Sequence, residues 1–436
     1  MRPLSRRTRI LLVACASLSA AACAPEPPRR PNVILVSIDT LRADHLGAWG
    51  YPRGTSPHLD RLARRGATFA RCIAQAASTM PSHRSLFQSR VASHTGREFP
   101  MLAELLQSEG WSTVAFTGGG NVSAELGFSA GFDTYEESEA GLPWSVASLI
   151  DWRRDRANAP YFAFLHGYDV HVPYDAPAPF SDLFDPSYEG RVRGSDTRAL
   201  CRAIRGLDDD GGAPPAVDLD AADRHHLEAL YDGGIRAVDD ALGRLLEWVA
   251  SGDAGEALVV VVSDHGEEFW DHGTVLHSHT VYQELVHVPL LVSGMAQGRP
   301  GVVLEGTVRN LDVTPTILDA LDVDELDVHE GASLAPRVRG EGGPNLPAIS
   351  EMKQWKAILE WPWKLVVDVR EPSFSLYRLD TDPGETRDVA GEHPDAVRAL
   401  EAALVAASSR AAVRELSSEE RTPELEERLR ALGYIN

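Results

Sequence analysis

Three short apolar runs each deliver a candidate metal ligand. Asn32-Val-Ile-Leu-Val-Ser-Ile runs into Asp39, Tyr161-Phe-Ala-Phe-Leu into His166, and Ala257-Leu-Val-Val-Val-Val-Ser into Asp264-His265. Between the first two lies Ser78-Thr79-Met80-Pro81-Ser82-His83, a polar turn able to present a hydroxyl beside them. A lone Asp at a strand end serves equally well as a cap for the following helix. Asp39 taken with Asp264-His265 and the other histidines points instead to one site. Carboxylates, imidazoles and a hydroxyl together suit metal-assisted hydrolysis.

These residues need elements that bring them together. Short β-branched and aromatic runs read as strands buried on both faces of a parallel sheet. In such sheets ligands bind beyond the carboxyl ends of the strands, where Asp39, His166, Asp264 and His265 all fall. From residue 32 to about 340 strand and helix patterns alternate. Leu102, Leu105 and Leu106 mark a helix stopped by Gly110, and Thr113–Thr117 a strand ending at three glycines. Over 222–250, Leu227, Leu230, Tyr231, Ile235, Val238, Leu242, Leu245, Leu246 and Val249 form one stripe. Asp223, Glu228, Asp232, Arg236 and Asp239 make up its polar face. Val288–Ser293 reads as a strand, and Asp312 opens a helix. Residues 186–220 lack periodicity and read as a surface insertion that could overhang the site. The run Gly340-Glu-Gly-Gly-Pro marks a boundary between a catalytic domain, 32–340, and a small subdomain, 341–436. There Trp355–Leu359, Trp363–Asp368 and Ser375–Leu379 suggest antiparallel strands, followed by a helix over 394–408 and an acidic-basic tail. The expected architecture is α/β: a large, mostly parallel sheet flanked by helices, with a small C-terminal antiparallel-sheet-plus-helix subdomain.

The chain has 436 residues, 43% hydrophobic and 24% charged, which suits a globular enzyme with a substantial core. Its formal charge of −22 argues against a nucleic-acid partner. Residues 1–22 combine a basic start, a short apolar stretch and small residues, the pattern of a signal peptide. Cys23 then resembles the acylated cysteine of bacterial lipoproteins, although Ala20 stands where Leu is usual. Residues 23–31 are a Pro-rich tether. The expectation is an exported, periplasmic or cell-envelope lipoprotein that meets the membrane only through that anchor. Cys72 and Cys201 could form a disulfide or remain two buried thiols.

Read in order, the motifs resemble the sulfatase family of the alkaline phosphatase superfamily over most of residues 32–436. They are Pro31–Gly47, Thr79-Met-Pro-Ser-His, Leu165–Asp175, Ser263-Asp-His-Gly-Glu-Glu-Phe, His277 with Tyr282 and Glu284, and Leu376–Thr386. The resemblance implies an alkaline-phosphatase-like fold and one divalent cation held by Asp39, Thr79, Asp264 and His265. Carboxylates with one imidazole favour Mn²⁺ or Zn²⁺, with Ca²⁺ possible. Thr40 stands where many sulfatases have a second Asp. Thr79 holds the nucleophile's place, where sulfatases carry a Cys or Ser oxidised to formylglycine, and His83 replaces an Arg. Threonine cannot follow that route, which leaves its hydroxyl as the nucleophile; otherwise Thr79 caps the helix near Pro81. Gln88-Ser89 replaces an expected Thr-Gly. His171 and His277 match positions that contact the transferred group or protonate the leaving group, with His166 a supporting partner. His272 and His279, with His265 and His277, could build a second metal site. Glu267 and Glu268 are expected to cap a following helix, and Arg42, Asp44 and His45 to order the turn after Asp39. The implied substrate is a sulfated or phosphorylated small molecule, glycan or lipid. The competing readings are a transferase of phosphoethanolamine or glycerophosphate head groups in the envelope, and an inactive glycan-binding relative.

Overall fold

The computed structural model describes residues 30–156, 159–207, 217–371 and 373–409. The expected signal peptide, Cys23, most of the tether and the tail lie outside them. Strands β1 (Asn32–Ile38), β2 (Ala67–Ile73), β3 (Ser112–Thr117), β4 (Thr134–Glu137), β5 (Tyr161–Gly167) and β6 (Ala257–Val262) come first. They are followed by β7 (Glu268–Phe269), β8 (Val275–Leu276), β9 (His287–Val288), β10 (Leu290–Ser293) and β11 (Val302–Arg309). β7 and β8 pair as a hairpin; the others form one nine-stranded sheet in the order β11-β2-β10-β6-β1-β5-β3-β4, with β9 also on β2. Pairing is parallel except at β9 and β10. The single strand expected at Val288–Ser293 is therefore two pieces, divided at Pro289, whose missing N–H breaks a ladder.

β1 lies between β5 and β6 and is buried throughout. Ile34, Val36 and Ile38 enter one core and Val33 and Leu35 the other, because strand side chains alternate. Each such buried side chain contributes about 1.5–3 kcal/mol. The register sets Ser37 beside both His166 and Val262, so β1, β5 and β6 end at the same edge.

The long helix Ala221–Ser251 buries the expected stripe, but its polar face is not all solvated. Asp232 accepts from His45, Tyr51 and Arg53, and Asp239 accepts the N–H groups of His58 and Leu59 at the start of helix Pro57–Ala63. These two carboxylates fasten neighbouring segments to the helix. Residues 186–220 are not wholly irregular either, for they contain the helix Thr197–Ile204. Cys72 and Cys201 are free and buried, in the cores on opposite faces of the sheet.

After Gly340, strands β12 (Ala348–Met352), β13 (Trp355–Glu360), β14 (Trp363–Asp368) and β15 (Ser373–Arg378) make an antiparallel sheet. β12 was not apparent in the sequence. One face packs on helix Pro394–Ser409, the other on Ala77, Val281, Leu285 and Val286 beside the strand-end edge. No described helix is long and apolar enough to cross a membrane.

Candidate active site

Asp39 leaves β1 and Asp264-His265 leave β6, so neighbouring strands bring them together. Ligand atoms of the three lie within 4.8 Å of one another, and all three residues are buried. Both oxygens of Asp39 and Oδ2 of Asp264 lack a hydrogen-bond partner. Such groups are costly to bury unless paired or bound to a cation. Burial raises the Asp39 carboxyl above the usual range; burial and the neighbouring Asp39 charge raise Asp264. A divalent cation would offset both effects, so the donor set fits one.

The turn between Asp39 and Leu41 is held tightly. Thr40 stands at φ 56°, a region uncommon for a β-branched residue, and its N–H donates to Asp264 Oδ1 (3.3 Å). Tyr231 on the long helix donates to the Thr40 carbonyl (2.7 Å) and accepts from Arg42 N–H (3.0 Å). Arg42 reaches on to Asp44, Asp271 and the Glu267 carbonyl, ordering the turn as expected.

Thr79 opens the helix Thr79–Gln88, with Ser78 at the N-cap position. Its hydroxyl lies 3.3 Å from His265 Nε2. His265 Nδ1 donates to the Gly266 carbonyl (2.9 Å), which turns Nε2 towards Thr79 and the carboxylates. Burial opposes protonation of His265, but Asp264 and Asp39 hold its pKa above the usual value. The helix N-terminus adds partial positive charge where an anionic group would meet Thr79.

His83 is one turn along that helix. Its Nδ1 donates to the Thr79 carbonyl (2.9 Å) and its Nε2 accepts from Ser37 Oγ (2.9 Å). Burial lowers its pKa to about 4, so it is a neutral strut under the Thr79 turn. His166 is likewise lowered to about 4 by burial and lies 3.4 Å from Asp39 Oδ2, beside the ligands. Gln88 ties the loop after the helix to Gly96 and Phe99.

His171 and His277 reach the site from separate loops, their ring centroids 5.0 Å apart, with His277 4.5 Å from His265. His171 Nδ1 donates to the Val172 carbonyl (2.6 Å). His277 Nδ1 lies 2.8 Å from Glu267 Oε1. Burial, and then the charges of His265 and Arg205, push His277 well below the usual imidazole range; burial raises Glu267.

Glu267 and Glu268 do not cap a helix, because the Asp-His-Gly turn leads into the β7–β8 hairpin. Glu268 accepts from His279 and from the backbone of His272 and Thr274. The proposed four-histidine metal site is also absent among the described residues. His277 and His279 each face a separate glutamate, and His272 turns to Glu284 and Glu385. That last trio is close enough for a cation, but Lys364 Nζ sits 2.7 Å from Glu385 and supplies the positive charge. The roles of Glu267 and Ser37 escaped sequence reading, since each depends on a long-range partner with no local pattern.

The sulfatase family model matches residues 31–323. A multifunctional alkaline phosphatase superfamily protein, PehA, from Trinickia caryophylli is 24% identical, over 72% of this chain and 78% of its own. A Δ4,5-hexuronate-2-O-sulfatase from Bacteroides thetaiotaomicron is 22% identical, over 86% of this chain and 87% of its own. Among solved structures, a phosphonate monoester hydrolase of Agrobacterium radiobacter superposes with a TM-score of 0.72 at 21% identity. That match covers 90% of this chain and all of the other.

Proposed function

The chain belongs to the sulfatase family, and from that premise we propose a metal-dependent hydrolase that cleaves a sulfate, phosphate or phosphonate ester, with Thr79 as nucleophile. The observation that carries this reading is the set of buried oxygens without a hydrogen-bond donor, both of Asp39 and Oδ2 of Asp264, gathered with His265, whose Nε2 is 3.3 Å from the Thr79 hydroxyl. Asp39, Asp264, His265 and Thr79 would hold the ion, and the mixed donors favour Mn²⁺ or Zn²⁺ over Ca²⁺. A divalent cation held there would lower the hydroxyl pKa and draw charge from the transferred group.

Thr79 Oγ, its proton released to solvent, attacks sulfur or phosphorus in line, and the ester bond opposite it breaks. The released oxygen takes a proton from His277, whose ring is oriented by Glu267, while His171, protonated beside the anionic ester, donates through Nε2 to an oxygen of the transferred group. An anionic ester beside His277 supplies the negative charge that lets this depressed imidazole take up its proton. Water then displaces Thr79 in a second in-line step.

The similar proteins include a hexuronate sulfatase and a phosphonate monoester hydrolase, which supports a sulfated or phosphorylated small molecule or glycan as substrate. The N-terminal pattern supports export and anchoring at Cys23. The test is metal analysis of a 31–436 fragment, then rates on 4-nitrophenyl sulfate, phosphate, bis-phosphate and phenylphosphonate, with Thr79→Ala alongside. Turnover lost in Thr79→Ala is expected. Turnover that survives that change places the nucleophile elsewhere.

A further inference from the structure

The helix Thr197–Ile204 lies beside the two site histidines. Thr197 and Cys201 are buried on one side, and Arg198, Arg202 and Arg205 recur at i, i+4 and i+7 on the other. Arg205 donates to the carbonyl of His277 itself (2.7 Å), and Arg198 to the carbonyl of Val172, next to His171 (2.7 Å). Several guanidiniums in this acidic chain sit against a carboxylate, as Arg42, Arg53, Arg71 and Arg309 do. Arg198 and Arg205 have no such ion pair among the described residues. Lys353, on the tight turn between β12 and β13 of the C-terminal sheet, lies near enough to Arg205 for the two charges to repel. Burial, and then repulsion by Arg205 and Arg370, hold its ammonium below the usual lysine range. Glu267 and Glu268 attract Arg205 without forming an ion pair with it, so its guanidinium keeps donors for an incoming anion.

We propose that Arg198, Arg205 and Lys353 bind a second anionic group on the substrate, a carboxylate or another sulfate or phosphate on the released portion. The position follows from Arg205, which holds the backbone of the histidine assigned to the leaving group; the inference therefore rests on the proposed orientation at that site. A guanidinium offers paired donors matched to carboxylate, sulfate and phosphate oxygens. The helix and the β12–β13 turn would thereby select esters carrying a second charge, leaving the reacting centre itself unchanged.

The test reads binding, so failure of the Thr79 chemistry is told apart from failure of this proposal. In full-length Thr79→Ala protein, calorimetry compares phenyl sulfate with 3-carboxyphenyl sulfate, and the matching phosphates likewise. Analogues with a second sulfate at the same ring position distinguish the two anion sources. The charged member should bind at least about tenfold more tightly, equivalent to about 1.4 kcal/mol, and the gap should narrow at roughly 0.5 M salt. Lys353→Ala and Arg205→Gln, each checked for folding by circular dichroism, should each shrink the gap. Equal affinities, no binding of either member, or a gap that survives both substitutions overturns the proposal.

Discussion

Replacing Tyr231 with phenylalanine removes the clamp on the ligand turn and nothing else. The ring contacts with Tyr174, Phe269 and His45 do not involve the hydroxyl, so no cavity opens. What is lost is one acceptor for the Arg42 N–H and one donor to the Thr40 carbonyl, both in buried surroundings. Each stranded group costs about 1–3 kcal/mol, so Tyr231→Phe should lose about 2–6 kcal/mol in urea denaturation. A second effect follows from Thr40, whose left-handed backbone stores of order 1–3 kcal/mol of strain. Without the clamp the turn relaxes, and ion binding must draw it back. Affinity for Mn²⁺ or Zn²⁺, titrated by calorimetry, should weaken about 10- to 100-fold, equivalent to about 1.4–2.8 kcal/mol. A stability change below about 0.5 kcal/mol with unaltered metal affinity would refute the reasoning.

Asp239 gives a pH dependence. Burial raises its pKa from 3.8 to about 6, so its contribution to stability is fully present below the unfolded value and is lost as pH rises through about 6. Relative to Asp239→Asn, the wild type should lose up to about 3 kcal/mol between those limits, and a flat difference in melts across that range would show ordinary ionisation. Glu267→Gln should spare esters of good leaving groups such as 4-nitrophenol and slow those of alkyl alcohols about 10²-fold, because only the latter need a well-oriented His277; equal losses on both would assign Glu267 a purely structural role. In the 31–436 fragment, a thiol reagent should label neither Cys72 nor Cys201 until denaturant is added. Labelling of the native protein would contradict their burial.

Much of the candidate site was legible because the residues that come together there directly follow apolar runs. Asp39, Asp264 and His265 sit where the chain leaves the sheet, and a parallel sheet has one edge at which such residues gather. The helix over 221–251 was equally plain from its period. The polar interior was harder to read. Asp232 and Asp239 fall on the hydrophilic side of a helical projection, yet partners from residues 45–59 bury them, and no helical period encodes partners so far away. Glu267 and Glu268 look like helix-opening acids, but the hairpin after them is set by pairing with Val275 and Leu276. Val288–Ser293 was read as one strand although Pro289 lacks the N–H to continue a ladder, and the antiparallel direction of β10 depends on where the chain re-enters the sheet. The arginine-bearing helix was masked by the irregular sequence around it.

The central place of β1 also governs how the molecule comes together. As the first strand in the chain it has both edges open, and its neighbours arrive late: Asn32 meets Tyr161 across 129 residues and Ala254 across 222. Loop closure over such spans adds only slowly to the entropic cost, but pairings this remote make folding slow. Until β6 is in place, a seven-residue apolar strand stays exposed to self-association. The ion could bind tightly only after both strands have docked, so added metal should slow unfolding and leave the early folding steps unaided.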